Sequence, residues 1–383
     1  MKTIYLDYNA TTTLDPAVHE AMLPYFQDIF GNPSSVHHVG RRARSLLDDA
    51  RDHVAQVWQS KPSEVIFTSG GTESNNLAIF GTARLQRAKG RHIITTSIEH
   101  HTVLHPCEYL RKHEGFEVTY LRVDTNGLVD VNDVRTALRP ETTLVSVMAA
   151  NNEIGTLQPV AAIGALCRER GVIFHTDAVQ YFGKEPFASI HQFNADLVSS
   201  CSHKFHGPKG AGALFIRSPI QPDPILFGGG HENERRAGTE NLAAIVGFAA
   251  ATELFVRTPV FDPQPLTQQS ARLVMLINRL EEQGVCFRGS RTARLSNTVA
   301  FTVENADSIT LLAALDLEGI CASSGSACSA GSLEPSHVML ALGVGRCAAN
   351  ALVRFSLGRG TTDEEIAVVE EVLPQIIARA RRL

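Results

Sequence analysis

Short runs of β-branched and other apolar residues recur up to residue 217 of this sequence, separated by intervals long enough for a helix. Apolar residues at successive rather than alternating positions are typical of strands that are buried on both faces of a sheet. Five such runs occupy residues 65–67, 92–96, 144–148, 172–175 and 197–200, and a sixth, at 212–217, follows a Gly-Pro-Lys-Gly turn and is expected to be antiparallel. The pattern predicts an α/β fold with a mainly parallel sheet covered by helices on both faces.

The length of the chain, 383 residues, indicates a second and smaller lobe, because single cores seldom grow that large. Between residues 256 and 268 the composition turns to Pro, Asp and Gln, which is typical of a surface connection between lobes. Beyond it, strand-like residues 297–303 and 353–357 alternate with helical stretches. Residues 361–365 read Thr-Thr-Asp-Glu-Glu, a capping-box pattern that predicts the start of the last helix. The C-terminal part is therefore expected to form an α+β lobe.

Charge and composition argue against several classes of protein. The formal net charge is −5 and no basic run exceeds that at 379–382, so direct nucleic-acid binding is not expected. Asp7 lies where a signal peptide would need its apolar region, and no stretch reaches about 18 uninterrupted apolar residues, so we expect a cytoplasmic protein without a membrane segment. The seven cysteines include no Cys-x-x-Cys pair, which favours reduced thiols over disulfides or a metal site.

A glycine-rich turn follows the first predicted strand of the sheet. Residues 68–76 read Thr-Ser-Gly-Gly-Thr-Glu-Ser-Asn-Asn and lead into an apolar helical stretch. Glycines let backbone N–H groups approach a phosphate, and the start of a helix favours negative charge. By itself the segment is equally typical of an ordinary strand-to-helix turn with a threonine N-cap.

Two further segments place reactive side chains at the ends of predicted strands, where ligands bind in open α/β sheets. Asp177, in His-Thr-Asp-Ala-Val-Gln, is placed to keep a pyridine nitrogen protonated, although an N-cap aspartate is an equally good interpretation of this segment alone. Lys204, in Ser-His-Lys-Phe-His-Gly-Pro-Lys-Gly, lies between a strand and a glycine-rich turn, where a buried amine with a lowered pKa forms a Schiff base readily.

The complete set of motifs, in this order, resembles the cysteine desulfurases of the nitrogen-fixation and iron–sulfur-cluster type, within the class V aminotransferases. The resemblance runs nearly end to end, and its specificity lies in the set rather than in any one motif. The segments that carry it are 7–12 (Asp-Tyr-Asn-Ala-Thr-Thr), 31–35 (Gly-Asn-Pro-Ser-Ser), 68–75, 99–101 (Glu-His-His), 151–155 (Asn-Asn-Glu-Ile-Gly), 202–204 (Ser-His-Lys), 236–241 (Arg-Ala-Gly-Thr-Glu-Asn) and 323–328 (Ser-Ser-Gly-Ser-Ala-Cys).

The fold that this resemblance implies is that of the fold type I transferases, which depend on pyridoxal 5'-phosphate (PLP). We expect a large PLP-binding domain at 14–257. Residues 1–13 and 258–383 are expected to form the small domain with the catalytic cysteine loop. The resemblance also implies a homodimer.

The resemblance further implies the following roles around the cofactor. Lys204 holds PLP covalently and later moves the substrate α-proton. Asp177 pairs with the pyridine nitrogen, Gln180 hydrogen-bonds the ring oxygen, and His101 stacks on the ring with an acid–base part. Phosphate contacts are implied for Gly71, Thr72 and His203, for Thr239 of the neighbouring subunit, and for either Cys201 or Ser202, since Cys201 stands where many relatives have a serine.

On the substrate side, Asn9, Asn152 and Arg354 match the residues that bind L-cysteine, with the guanidinium as a fork for its carboxylate. Cys328 is the expected nucleophile, which takes the substrate sulfur as a persulfide and passes it to an acceptor such as an iron–sulfur scaffold protein. Its neighbours at 322–332 are small residues that favour a loop over a core.

Two kinds of alternative stay open at this point. One is an enzyme that shares the cofactor and fold, such as a selenocysteine lyase or another class V aminotransferase. The other is an iron–sulfur scaffold or metal-binding protein, against which the unclustered cysteines and histidines argue. The sulfur acceptor is also undetermined. Segments 332–339 and 235–241 favour nitrogen-fixation-type members, while tRNA thiolation and DNA sulfur modification remain alternatives to cluster assembly.

Overall fold

A computed structural model describes residues 3–325 and 334–381 of the chain. Its main feature is a seven-stranded sheet in the order β2-β8-β7-β6-β5-β3-β4. Strands β3 to β7 are parallel to one another, whereas β8 is antiparallel to both β2 and β7. The twelve described strands are β1 (Ile4–Tyr5), β2 (Val65–Thr68), β3 (His92–Thr96), β4 (Glu117–Leu121), β5 (Thr142–Ser146), β6 (Ile173–Asp177), β7 (Leu197–Cys201), β8 (Gly212–Ile216), β9 (Val285–Arg288), β10 (Thr298–Val303), β11 (Ile320–Cys321) and β12 (Leu352–Ser356).

Helices pack against this sheet and bury an apolar face each. On one side lies a large core that includes Trp58, Phe174, Phe182 and Phe248, all fully buried. The described α-helices are α1 (Pro16–Met22), α2 (Pro24–Gln27), α3 (His38–Trp58), α4 (Gly71–Asn76), α5 (Thr82–Leu85), α6 (His101–His113), α7 (Val131–Ala137), α8 (Val160–Glu169), α9 (Leu242–Phe255), α10 (Pro263–Arg279), α11 (Ser308–Leu317), α12 (His337–Ala341), α13 (Arg346–Ala349) and α14 (Asp363–Ala380). None of the helices in the described ranges is both long and apolar enough to cross a membrane.

The C-terminal part forms a second, antiparallel sheet in the order β12-β10-β9, packed on α10, α11 and α14. The N-terminus joins this part rather than the large sheet: β1 pairs in parallel with β11, and Ile4 and Leu6 lie in the C-terminal apolar core. This packing supports the division into 14–257 and the combined 1–13 and 258–383, which stays a prediction.

The six predicted strands of the large sheet are present, and the antiparallel orientation of β8 is confirmed. Strand β4 was not predicted from the sequence. Among the described strands it pairs with β3 alone, at the edge of the sheet. Its residues are largely half-exposed or exposed, so it lacks the apolar run that is typical of a central strand. The predicted connection at 256–268 is too long, because Asp262 caps α10 and the helix begins at Pro263.

The last helix agrees with its predicted start. Thr362 is the N-cap of α14, and its side chain accepts from the Glu365 N–H while Glu365 accepts from the Thr362 N–H. The capping box satisfies two N–H groups that the first turn of a helix leaves without a partner.

Candidate active site

A cavity of about 200 Å³ lies at the carboxyl ends of the parallel strands. Asp177 and Cys201 are the last residues of β6 and β7, and the turns after β2, β3 and β5 supply other parts of its wall. Because parallel strands end at one edge of the sheet, residues far apart in sequence meet there. The lining consists of Asn9, Ala10, Gly71, Thr72, Asn75, His100, Thr102, Met148, Ala150, Asn152, Asp177, Val179, Gln180, Cys201, His203, Lys204 and Arg354.

The glycine-rich turn after β2 brings main chain to one side of the cavity. Gly70 has φ 150°, a conformation that residues with a Cβ rarely adopt, and it lies against Gly212 of β8. A Cβ on Gly71 would come within 2.8 Å of Val179 Cγ2. The first turn of α4, whose N–H groups have no partner within the helix, therefore faces the cavity at close range.

Asp177 is held rigidly beneath the cavity. Its Oδ2 accepts from Asn75 Nδ2 at 2.7 Å, and its Oδ1 accepts from the Val179 N–H at 3.0 Å. Burial raises the pKa of Asp177, while these two hydrogen bonds and the charge of Lys204 act in the opposite direction. The carboxyl group is thus fixed in place and ready to share a proton with a basic partner in the cavity.

Lys204 follows β7 in a short 3₁₀ turn, and its amine points into the cavity. Nζ donates to the main-chain oxygens of Asn9 and Ala10, at 2.7 Å each. Both acceptors belong to the N-terminal segment, which crosses over from the C-terminal sheet. The reactive amine is therefore positioned by a part of the chain almost 200 residues away in sequence.

The end of β7 separates Cys201 from Ser202, because Cys201 is the last residue of the strand and Ser202 begins the 3₁₀ turn that follows it. Cys201 faces the cavity, and burial raises the pKa of its thiol to about 11. The Ser202 hydroxyl donates to the main-chain oxygens of Pro208 and Ala211 and does not contribute to the described lining. Of the two side chains between which the sequence could not decide, Cys201 is the one in the cavity wall.

Of the neighbouring residues His100 and His101, His100 is part of the described lining, as is His203, and His101 is not. His100 is the N-cap of α6 in an extended conformation, so its side chain points back toward the sheet. His101 is the first residue of the helix proper, and its ring instead contacts His105 and His337, at 4.8 and 4.7 Å between ring centroids. Of these two neighbours, the structure therefore places His100, and not the expected His101, at the cavity.

A hydrogen-bond chain connects His100 to Asp177. The Thr102 N–H donates to His100 Nδ1, so this nitrogen is an acceptor and the neutral ring carries its proton on Nε2. Thr102 Oγ1 lies 2.9 Å from His100 Nδ1 and accepts from Asn75 Nδ2, which also donates to Asp177. Burial and the charge of Lys204 lower the pKa of His100 to about 4, so the ring stays neutral near neutral pH.

The residues expected to bind the substrate lie on the other side of the cavity. Arg354 is buried in β12, and its guanidinium donates to Asp7 Oδ1 at 2.7 Å and to the main-chain oxygens of Asn152 and Gly325. Its Nε is also buried and finds no partner among the described residues. A buried guanidinium N–H beside an open cavity fits an anionic ligand.

Besides His101 and Ser202, a further expected site residue, Thr239, does not contribute to the described lining. Thr239 is exposed and lines a separate depression of about 170 Å³, together with Ser69 and Arg236. Cys328 lies outside the described residues. Within those residues, no three His, Cys, Asp or Glu side chains are arranged to hold a metal ion.

The sequence arguments missed three residues of this region: His100, Asn75 and Lys184. Asn75 lies one helical turn after Gly71, a spacing that places both on one side of α4, and this signal was available. Lys184 had no such signal, because a lone lysine is usually exposed.

An α/β fold whose strand ends gather a lysine, a buried aspartate and a glycine-rich turn defines the class V aminotransferases. The family model described as "Aminotransferase class-V" matches residues 4–369, and the chain belongs to this family. Within it, the chain belongs to the cysteine desulfurases, which are enzymes.

Comparison with relatives supports this narrower assignment. The chain is 45% identical over 382 residues to the cysteine desulfurase IscS of Dictyoglomus turgidum, covering 100% of this chain and 96% of the relative. A solved NifS-like protein has a TM-score of 0.90 at 36% identity, covering 99% of this chain and all of that one. The structure of SspA in complex with cysteine has a TM-score of 0.82 at 37% identity, covering 94% and 100%. The predicted family and fold class are thereby confirmed.

Proposed function

We propose that this protein is a PLP-dependent cysteine desulfurase that converts L-cysteine to L-alanine and carries the sulfur on Cys328 to an acceptor protein. The observation that carries the proposal is the convergence of the Lys204 amine, the Asp177 carboxyl and the His100 ring on one cavity at the strand ends. Membership of the cysteine desulfurases supports the choice of substrate, as does the complex of the related SspA with cysteine.

The residues of the cavity fit PLP. The close approach of main chain at Gly71, together with Thr72 and His203, suits a phosphate group, and Cys201 borders the same wall. Asp177 would pair with the pyridine nitrogen, Gln180 with the ring oxygen, and Lys204 would form the covalent link. His100, in place of His101, would lie on the ring face. When bound, PLP supplies a ring that accepts the electrons released at the substrate Cα.

The protein's own groups supply proton transfer and orientation. Lys204 Nζ would take the proton from the substrate Cα and later return one. Asp177 shares a proton with the ring nitrogen and is kept from turning by Asn75 and the Val179 N–H. Neutral His100, with its proton on Nε2, is oriented to donate that proton into the cavity.

Substrate binding is assigned to the side of the cavity formed by Asn9, Asn152 and Arg354. The guanidinium of Arg354, which lines the cavity, would donate to the substrate carboxylate, and its burial strengthens such a charge-assisted bond.

The sulfur step is assigned to Cys328. Its thiolate attacks the substrate sulfur, the carbon–sulfur bond breaks, and a sulfur–sulfur bond forms. Cysteine and the enzyme thiol thus become alanine and the enzyme persulfide, with no external oxidant or reductant. We propose transfer to a scaffold protein for iron–sulfur cluster assembly, which is consistent with the naming of the relatives as IscS.

We further propose a homodimer in which Thr239 contacts the phosphate of the other subunit. Its exposed position, away from the cavity of its own chain, is compatible with that role. A selenocysteine lyase is the main alternative, since it would share the cavity but not require Cys328. Substitution of Cys328 separates these two possibilities.

The test is alanine formation from L-cysteine by purified variants loaded with PLP. Cys328→Ser should abolish alanine formation while the visible absorbance of bound PLP persists, and Lys204→Ala should abolish both. Cys347→Ser is the matched control, because Cys347 is exposed and lies outside the cavity. Full activity of Cys328→Ser would refute the assignment of the nucleophile, and colourless wild-type protein would refute the assignment of the cofactor.

A further inference from the structure

A second lysine lies directly behind the cavity wall. The side chain of Lys184 is 1% exposed, although lysines are almost never fully buried without a purpose or a partner. It lies one turn after Gln180, and its environment lowers the pKa of its amine well below the usual value, mainly through burial and then through the charges of Lys204 and Arg354.

The partners of Lys184 are two residues that line the cavity. Nζ donates to Asn9 Oδ1 at 2.6 Å and to Gln180 Oε1 at 2.5 Å. The Phe261 ring lies 5.2 Å from the amine on another side. Both polar partners are amide oxygens, and two N–H donors of the amine meet them.

These contacts determine which end of the Gln180 amide faces which neighbour. A protonated lysine amine has no lone pair, so it acts only as a donor. The Lys184 amine donates to Gln180 Oε1, whereas Gln180 Nε2 donates to the main-chain oxygen of Asn9 at 2.9 Å. That same oxygen accepts from Lys204 Nζ. Lys184 therefore restrains Gln180 directly, and through Asn9 it restrains the acceptor that orients Lys204.

We propose that Lys184 is a positioning residue that fixes the Asn9 and Gln180 side chains in the cavity wall, and so determines the orientation in which Gln180 faces the cofactor. The inference rests on the proposed function, because it concerns the PLP-binding cavity. Lys184 itself does not line the described cavity.

The physical basis is the cost of an unpaired buried acceptor. A methionine at 184 would fill nearly the same volume but leave Gln180 Oε1 without its donor, while Asn9 Oδ1 would keep Asn297 Nδ2 at 3.1 Å. The amide of Gln180 would then turn to find another donor. The substitution also removes an amine whose charged form is disfavoured by burial, so a folded variant is expected.

The experiment is a double-mutant cycle on PLP affinity, measured by absorbance titration of the apoenzyme, with kcat/KM for cysteine alongside. Lys184→Met should raise the PLP dissociation constant at least about fivefold and shift the absorbance spectrum of the bound cofactor. In a Gln180→Ala background the same substitution should change affinity less than about twofold. Lys89→Met is the matched control, since Lys89 is exposed and donates only to the Gly171 main-chain oxygen.

Equal effects of Lys184→Met in both backgrounds, or no effect in either, would overturn the proposal. If Lys184→Met does not fold, Lys184→Gln, which retains an N–H donor, serves in its place and should weaken affinity less than Gln180→Ala does. Absence of PLP binding by the wild-type protein would instead contradict the proposed function, so the two failures are distinct.

Discussion

An ion pair, Arg51–Glu232, bonds to main-chain groups at one edge of the large sheet. Within the described residues, no strand pairs with the outer side of the edge strand β2. Two of its main-chain groups bond to side chains instead: Arg51 Nη1 donates to Val65 O at 2.6 Å, and the Phe67 N–H donates to Glu232 Oε2 at 2.9 Å. Arg51 and Glu232 are joined by two bonds of 2.7 and 2.6 Å, and their side chains are 10% and 1% exposed. Replacing Arg51 by methionine should therefore destabilise the fold strongly.

The size of the effect follows from what the substitution leaves behind. Without Arg51, the buried Glu232 carboxylate keeps only the Phe67 N–H, and Val65 O loses its donor. Removal of one partner of a buried pair costs about 3–5 kcal/mol. The Arg51→Met, Glu232→Met double variant removes both charges and should cost at least about 2 kcal/mol less than the sum of the single variants.

Urea unfolding provides the assay, because Trp58 is the single tryptophan, is fully buried, and lies on the same helix as Arg51. Arg44→Met is the control. It breaks an exposed pair with Asp48 on that helix, 54% and 47% exposed, and should cost less than about 0.5 kcal/mol. A loss below about 1 kcal/mol for Arg51→Met at unchanged urea dependence would refute the reasoning.

Two further predictions concern single residues. Burial raises the pKa of Glu99 to about 8, whereas the unfolded state releases the same proton near the ordinary pKa of a glutamate. The stability that comes from this bound proton is therefore lost as pH rises from about 4.5 to about 8. Glu99→Gln keeps the oxygen that accepts from Thr96 and Met148, and should match the wild type near about pH 5 but be more stable near about pH 9 in thermal unfolding; equal pH dependence would contradict this. His100→Ala should lower kcat at least about 100-fold, and His101→Ala less than about threefold, in the alanine assay; the reverse order would restore the sequence-based assignment.

Several features of the site could be predicted from the sequence because they depend on local order. The apolar runs define the strands, and a parallel sheet brings their carboxyl ends to one edge, so Asp177 and Lys204 had to be near each other once both followed a strand. The glycine-rich turn is similarly local, since close approach of main chain requires the absence of a Cβ at Gly71.

Other features depended on which way a side chain points at a boundary. His100 and His101 are neighbours in sequence, but one is the N-cap of α6 and the other its first residue, so only one faces the cavity. Cys201 and Ser202 likewise differ in direction, because Cys201 ends β7 and Ser202 begins the 3₁₀ turn after it. In each pair, an error of one residue in the predicted end of the helix or strand changes which residue is expected to face the cavity.

By itself, the sequence determined the family, the alternation of strands and helices, and the identity of the lysine and aspartate at the strand ends. Only the tertiary structure decided that Lys184 is buried and that Arg51 and Glu232 close the sheet edge. Both depend on partners more than 170 residues distant, Asn9 for Lys184 and Glu232 for Arg51. A buried charge is stable only where such partners converge, and local sequence carries no record of that convergence.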